Sequence, residues 1–392
     1  MVGTVDPTFP LYPIISILSA TTLFLVLLTS FVRQSWNLGV AFLCFWLFWE
    51  NLTNGIDAVI WSDNADLRLY VYCDLVSHIQ VITSVVRPMA TLIIIRRLYS
   101  IVNLRIGEGP RQATRRKDLV IEWTLGLAIP AVVAGPLYYI VQPIRFAVHE
   151  GFGCADITDI SILSLLLVNT WNVIPPLVSL GFYYPAVFRA FYLQNRDVNH
   201  HLQTNGSVSR VNYFRVLALA SIDLLLTLPI GIINVVFIIS GPLTELHFPF
   251  YSGWTQDHVN WGPQSASYAE LAGGATSHRA QLYFDHWTSP ILALAIFGLF
   301  GVTSEARASY WRIVYTIGGW VGWKLKPRTH DARASLGDIE FGARSPQSVS
   351  INFDVETQPT FIDGDDHIQQ RVEATRRTSF SEKAGAKQDE RL

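Results

Sequence analysis

Residues 11–32 read LYPIISILSATTLFLVLLTSFV, twenty-two positions without one charged side chain. A hydrocarbon core about 30 Å thick needs about 20 helical residues to cross it, so this stretch reads as a membrane span and not as the buried helix of a soluble core. Six more apolar runs follow, at 38–60, 70–94, 119–141, 161–188, 216–240 and 287–304. The seven together hold only Glu50, Asp57, Asp74, Arg87, Glu122 and Asp223 as charged residues. Membrane β-strands alternate over about ten residues; these runs are longer and do not alternate. Helices are then the remaining way to satisfy the backbone in lipid. The predicted fold class is an all-α integral membrane protein, a seven-helix transmembrane bundle.

The remainder of the chain is different material. Of 392 residues 50% are hydrophobic and 15% charged, yet residues 324–392 hold 23 of the charges. That segment lacks Trp and Tyr and is rich in charge, Ser, Thr and Gly, which predicts a disordered tail. Between bundle and tail, residues 305–323 place Tyr310, Trp311, Val314 and Tyr315 at helical spacing with Arg307 and Arg312 among them. This reads as an amphipathic juxtamembrane segment anchored by Trp320 and Trp323. Residues 1–10 form a short leading segment. A net charge of -2 and long apolar runs exclude a nucleic-acid surface and argue against a soluble enzyme.

Orientation follows from Lys and Arg. The first, third and fifth connections carry Arg33, then Arg96, Arg97, Arg105, Arg111, Arg115, Arg116 and Lys117, then Arg189, Arg196, Arg210 and Arg215. The second, fourth and sixth carry Arg68, Arg145 and Arg279. Positive charge stays on the cytoplasmic side, so the expected N-terminus is extracellular, the C-terminus cytoplasmic, and the first run an uncleaved anchor. Cys73 and Cys154 then both fall on the oxidising side, where a disulfide would pin the loop before run five over the bundle mouth. Cys44, inside run two, is expected to be inert.

Polar groups inside lipid are the first place to seek function. Glu50, Asn54 and Asp57 recur at i, i+4 and i+7 and share one helix face, with Asn51 beside them. They read either as interhelical glue or as a buried polar switch. Arg87 sits about 12 Å from the inner end of run three and Asp223 about 10 Å into run six from the same side. Asp223 or Glu50 is the expected partner of Arg87, and a tether between runs three and six would hold a resting state; the alternative is snorkelling of Arg87 to the headgroups. Pro229, six residues beyond Asp223, would let the inner half of run six swing.

The longest outer connection, 241–286, carries Tyr251, Trp254, Trp261 and Tyr283 together with Asp285. A loop of this length reads as a lid or binding loop, and an aromatic, mildly acidic one suits an apolar or basic ligand. With Trp287 and Asp74 at the same mouth, these residues are the candidate ligand contacts. A retinal protein is excluded, because a Schiff base needs a lysine in the bundle and the lysines are Lys117, Lys324, Lys326, Lys383 and Lys387. His78 is the sole histidine inside a span, which argues against a membrane metallo-hydrolase. A transporter of a small or lipidic substrate would be expected to show paired halves. It remains the alternative to a receptor.

A set of short pieces, in order, carries a resemblance. They are Tyr12-Pro13, Trp36-Asn37 and Gly39, Trp46 and Asn51, Trp61, Cys73-Asp74, Pro88 with Arg96-Arg97-Leu98-Tyr99, and Gly153-Cys154. Further on come Trp171 with Pro175, Tyr183-Tyr184-Pro185, Asp223 with Pro229, and Phe300-Gly301 followed by Glu305 and Trp311. In these the sequence resembles the fungal seven-helix receptors for lipidated mating pheromones, those similar to the yeast a-factor receptor. Arg87 departs from the small or apolar residue expected before Pro88. The resemblance implies a farnesylated, carboxymethylated peptide pheromone as ligand, a heterotrimeric G protein as partner, residence in the plasma membrane, and no cofactor or metal. Arg87, Asp223, Glu50, Asn54 and Pro229 are the expected activation switch, in which the tether role of Arg87 rests on this sequence alone, and Arg96, Arg97, Arg105, Arg189, Arg210 and Arg215 are the expected G-protein-facing cations.

Overall fold

The computed structural model describes residues 6–33, 37–104, 112–189, 207–243, 249–273, 276–303 and 306–313, all within the unit Met1–Lys326. Helices α1 (Leu11–Arg33) and α2 (Leu38–Ile60) pack side by side, and α3 (Tyr70–Leu104) runs along α2. The fourth run is α4 (Gln112–Trp123), α5 (Ile129–Val132) and α6 (Tyr138–Ile140), joined by π-turns at Thr124–Ala128 and Val133–Leu137. Its prolines supply the cause: Pro130 and Pro136 donate no N–H and crowd the carbonyl four residues back, so the ladder widens by one residue. The fifth run breaks into α7 (Ile162–Leu167), a 3₁₀ turn at Asn169–Asn172, α8 (Ile174–Val178), a π-turn at Ser179–Tyr183 and α9 (184–189) around Pro175-Pro176. Then come α10 (Ser207–Leu243), α11 (Trp254–Val259), α12 (Tyr268–Gly273), α13 (Thr276–Ile296) with a π-turn at Phe297–Gly301, and α14 (306–313).

Leu11–Phe31, Tyr70–Ile101, Arg116–Ile140 and Phe214–Val236 are long and apolar enough to cross a membrane, and Ala280–Gly301 with Ala306–Ile313 adds a bent pair. Helix α2 is as long as α1, but Glu50, Asn51, Asn54 and Asp57 lower its hydropathy, and the fifth run is divided by its turns. The protein is an all-α, multi-pass membrane bundle. Large apolar residues such as Phe182 and Leu225 face outward, 75% and 72% exposed, as a lipid-facing surface requires. The core joins Leu23 and Val26 of α1, Leu43 and Leu47 of α2, Val86 and Ile94 of α3, Leu219 of α10 and Leu292 of α13. Gly39 lets α2 approach α3 closely, since a Cβ there would lie 3.0 Å from the Ala90 carbonyl oxygen.

Helix ends depart from the apolar runs by seven residues or more in four places, one of them α4, which starts at Gln112 instead of 119. Helix α3 continues ten residues past 94, α10 starts at Ser207 instead of 216, and α13 starts at Thr276 instead of 287. Apolarity marks only the lipid-embedded part of a helix, whereas Arg-rich and polar turns prolong it beyond the hydrocarbon. The tail 324–392, the anchors Trp320 and Trp323, and Arg105 lie outside the described residues.

One end of the bundle is covered by a small sheet. Strand β1 (Ala147–His149) pairs antiparallel with β2 (Gly153–Ala155) and parallel with β3 (Gln264–Ala266), in the order β2-β1-β3. Cys73 at the start of α3 and Cys154 in β2 form the disulfide. Gly151 and Gly153 turn the β1–β2 hairpin with φ of 87° and 83°, a backbone region glycine enters without a Cβ penalty. Through β3, the connection between α10 and α13 is therefore part of the same cap.

Candidate ligand cavity and interhelical switch

Beneath the cap lies a cavity of about 330 Å³. Five helical runs and the cap contribute to it: Glu50 and Asn54 from α2, Gln80, Ser84 and Arg87 from α3, Asn169 and Asn172 from the fifth run, Thr227 and Asn234 from α10, Asp285 and His286 from α13, and His149 and Asp156 from the cap. Such a density of polar groups at membrane depth is expected only where they line a cavity or pair with one another.

Both happen here. Arg87 faces Glu50 across α3 and α2, Nη2 to Oε1 3.9 Å, with side chains 15% and 10% exposed. The other Glu50 oxygen, Oε2, accepts a bond from Ser289 Oγ of α13 at 2.9 Å, and Asn51 Nδ2 donates to that same hydroxyl at 2.9 Å. Of the two carboxylates open to Arg87 in the sequence, Glu50 is thus the one that faces it, and the arginine does not snorkel. Asp223, fully buried, accepts instead from the Thr91 hydroxyl. The link between α3 and α10 exists, but Thr91, one helical turn beyond Arg87, makes it. Thr227, on the cavity wall, bonds to the Asp223 carbonyl at 2.8 Å, so the cavity ends one turn above this link. Pro229 is exposed on α10. Two residues on, Gly231 lies so close to Asn172 that a Cβ would come 2.9 Å from its carbonyl oxygen.

Of the seven candidate ligand contacts only Asp285 lines the cavity. Tyr251 donates to the Ile140 carbonyl at 3.2 Å, and Trp254 and Trp261 set their edges against Tyr139 at 5.7 and 5.6 Å between centroids. These three clamp the cap to the end of the fourth run. Tyr283 bonds Tyr268 at 3.0 Å and donates to Asp6; Trp287 packs on Tyr12 at 5.7 Å. Asp74 forms a two-bond pair with Arg145, Nε to Oδ1 2.8 Å, and this hydrogen bonding holds the Arg145 pKa above its usual value. Aromatic rings bury most area against one another, and no feature of the sequence says which face of the mouth they fill. The cavity residues that composition alone passed over, Asn169, Asn172 and Asn234 among them, carried one available signal: an amide inside an apolar run is costly unless it is used.

Asp156 lies in the cap outside the spans. Burial pushes its carboxyl up to about 6, with Glu50 raising it further and His78 opposing. At the other end of the bundle Arg96 pairs with Asp118, and Arg97 reaches Glu122 at 3.9 Å. Two of the six cations expected to face a partner are therefore engaged with α4. Arg189 is exposed and Arg215 half-buried; Arg210 lies within α10.

The profile of the Pheromone A receptor family matches residues 11–318, a stretch that contains the cavity, the disulfide and the Thr91–Asp223 link. The chain belongs to this family. It is similar to the Pheromone B alpha 3 receptor of Schizophyllum commune (strain H4-8 / FGSC 9210), 28% identical over 307 residues that cover 78% of this chain and 47% of that one. Pheromone receptor 2 of Mycosarcoma maydis is 29% identical over 78% of this chain and 86% of its own. For the Pheromone a factor receptor of Saccharomyces cerevisiae the figures are 24%, 72% and 57%. The chain spans about half the length of the Schizophyllum relatives it matches. A pheromone receptor family is one of receptors and not of enzymes, and the described residues fit it: a capped polar cavity sits above a buried interhelical bond.

Proposed function

We propose that this protein is a G-protein-coupled receptor for a farnesylated peptide mating pheromone. In this reading seven spans cross the plasma membrane, the cap is extracellular and the Arg-rich connections are cytoplasmic. One observation carries it: the capped cavity ends one helical turn above the bond that links α3 to α10. A ligand in the cavity touches Glu50, Arg87 and Thr227, and can shift the bundle only by binding one arrangement more tightly than the other. Release of Asp223 from Thr91 frees the inner part of α10 to swing at Pro229, where the Leu225 carbonyl has no N–H to receive.

The cavity volume lies at the lower end of the range for ligand pockets and its walls mix polar side chains with apolar ones such as Val168, Ile230 and Leu282, which suits the peptide part of such a ligand. The prenyl chain would rest on the Tyr139, Trp254 and Trp261 rings, where Trp254 is 52% exposed and lipid adjoins the cap. Arg189, Arg215 and Arg210 would face an acidic surface of the G protein. The deciding experiment expresses the receptor in yeast lacking its own pheromone receptors and applies synthetic pheromone from a compatible strain. Farnesylated peptide should activate the reporter at a concentration about a hundredfold below its non-prenylated twin. Absence of any pheromone-dependent response would overturn the receptor reading, and equal potency of the two peptides would overturn its lipid part.

A further inference from the structure

The charges around the cavity do not balance. Three carboxylates line it, Glu50 of α2, Asp156 of the cap and Asp285 of α13, against one guanidinium, Arg87, which faces Glu50 and also acts on Asp285. Neither Asp156 nor Asp285 has an ion-pair partner among the described residues. Carboxylates in excess on one cavity wall are costly unless a further cation joins them. On the same wall two buried donors lack acceptors, Arg87 Nε and Asn169 Nδ2. An unmet buried donor costs about 1–3 kcal/mol, and a main-chain carbonyl would meet it.

Resting on the receptor reading above, we infer that the ligand presents a cationic group, an ammonium or a guanidinium, to Asp156 and Asp285 while its backbone carbonyls engage Arg87 and Asn169. The cavity would thus select a peptide by one positive charge at the level of the cap, independently of its lipid. Specificity of this kind comes from pairing a group that is otherwise left uncompensated. A neutral side chain of the same shape leaves the wall with its excess of carboxylates over cations.

The test needs no pheromone. The full chain in lipid nanodiscs is titrated with N-acetyl-arginine amide, N-acetyl-lysine amide, glycine amide and neutral N-acetyl-citrulline amide, and the shift in melting temperature is read. At least one cationic probe should bind about tenfold or more tighter than the citrulline twin, and the probe that does so distinguishes guanidinium, side-chain ammonium and free amino terminus. Asp285→Asn and Asp156→Asn should each weaken that probe about tenfold without changing citrulline binding, and Asp285→Glu should retain it, which separates lost charge from lost folding. Equal binding of cationic and neutral probes, or wild-type cation binding by both Asn variants, overturns the inference. A charge-selective shift with no pheromone response in yeast would instead sink the receptor reading, and with it the peptide ligand inferred here, and leave only a cation-selective cavity.

Discussion

Thr91→Val is the most informative single substitution in this protein. It removes the hydroxyl that Asp223 accepts from while keeping the volume and branching of the side chain, so α3 and α10 lose one bond and little packing. Interhelical bonds in lipid average about 0.6 kcal/mol with a ceiling near 1.7, whereas bonds to charged groups contribute about 1.5–3 kcal/mol. Asp223 is fully buried and its Oδ1 has no partner among the described residues, which places the Thr91 bond in the upper part of the first range. A loss of about 1.4 kcal/mol in the resting arrangement alone raises the ratio of active to resting receptor about tenfold. The assay is ligand-free reporter output in yeast at matched surface receptor level. Thr91→Ser keeps the hydroxyl and should stay within about twofold of wild type. Asp223→Asn keeps an acceptor and should fall between, and the double variant should be clearly non-additive because both changes remove one bond. If Thr91→Val leaves basal output unchanged, or if Thr91→Ser raises it equally, the bond does not hold the resting arrangement.

Three further outcomes are expected. Gly153→Ala forces a Cβ into a left-handed backbone position and onto the Asp57 side chain. It should lower the melting temperature of the purified receptor by an amount equivalent to about 2 kcal/mol or more, whereas Gly135→Ala, which meets nothing within 4 Å, should not. Cys154→Ser opens a loop with a sequence separation of 81; the chain-entropy limit is about 4.5 kcal/mol, lowered here because the spans restrain the ends, and the drop should match that of the wild type under reductant. The Asp156 carboxyl sits at about 6 against about 3.9 in an unfolded chain. The native state therefore holds its proton to higher pH, and thermal stability should fall as pH rises from about 4 through about 6, then level. Glu50 of α2, His78 and Arg87 of α3, His149 of β1, and Asp285 and His286 of α13 also surround that wall, so the measured quantity is the difference from Asp156→Asn, whose slope should be flatter over that window.

What could be read from the sequence divides along a physical line. Lipid imposes length and apolarity on any span, so helices over 11–33, 38–60 and the long runs near 70, 216 and 287 were legible from charge-poor stretches. Their ends were not, because Arg96 and Arg97 extend α3 through helix-forming stems that hydropathy counts against it. The Pro175-Pro176 pair announced a disturbance in the fifth run, but not the 3₁₀ turn that brings Asn169 and Asn172 to the cavity. Depth along a helix follows from rise per residue, yet azimuth does not. Glu50 and Asp223 therefore both met the requirement for Arg87, and only packing separated them. The aromatic residues of the long connection failed as site predictors for a related reason: a ring gains by burial whether its neighbour is a ligand or Tyr139.

The polar face of α2 shows why the cavity, the cap and the core respond together. Asp57 accepts from the Tyr72 hydroxyl at 2.7 Å and from the Cys154 amide at 3.2 Å, which ties the face to α3 and to the disulfide-held hairpin. One turn and two turns inward, Asn54 lines the cavity and Glu50 meets Arg87, and Asn51 with Glu50 holds Ser289 of α13. Each bond is worth only about 0.6 kcal/mol on average in lipid, so no single one makes the helix rigid. They are nonetheless arranged so that α2 cannot rotate without breaking bonds to the cap, α3 and α13 at once. A ligand that pulls Glu50 or Asn54 by a fraction of an ångström meets that combined resistance. The softer coordinate is α10, joined to α3 near the same depth by Thr91–Asp223. Displacement should accordingly appear first in α10, and spin labels on α10 and α3 should move apart on activation while a pair on α2 and α13 keeps its distance.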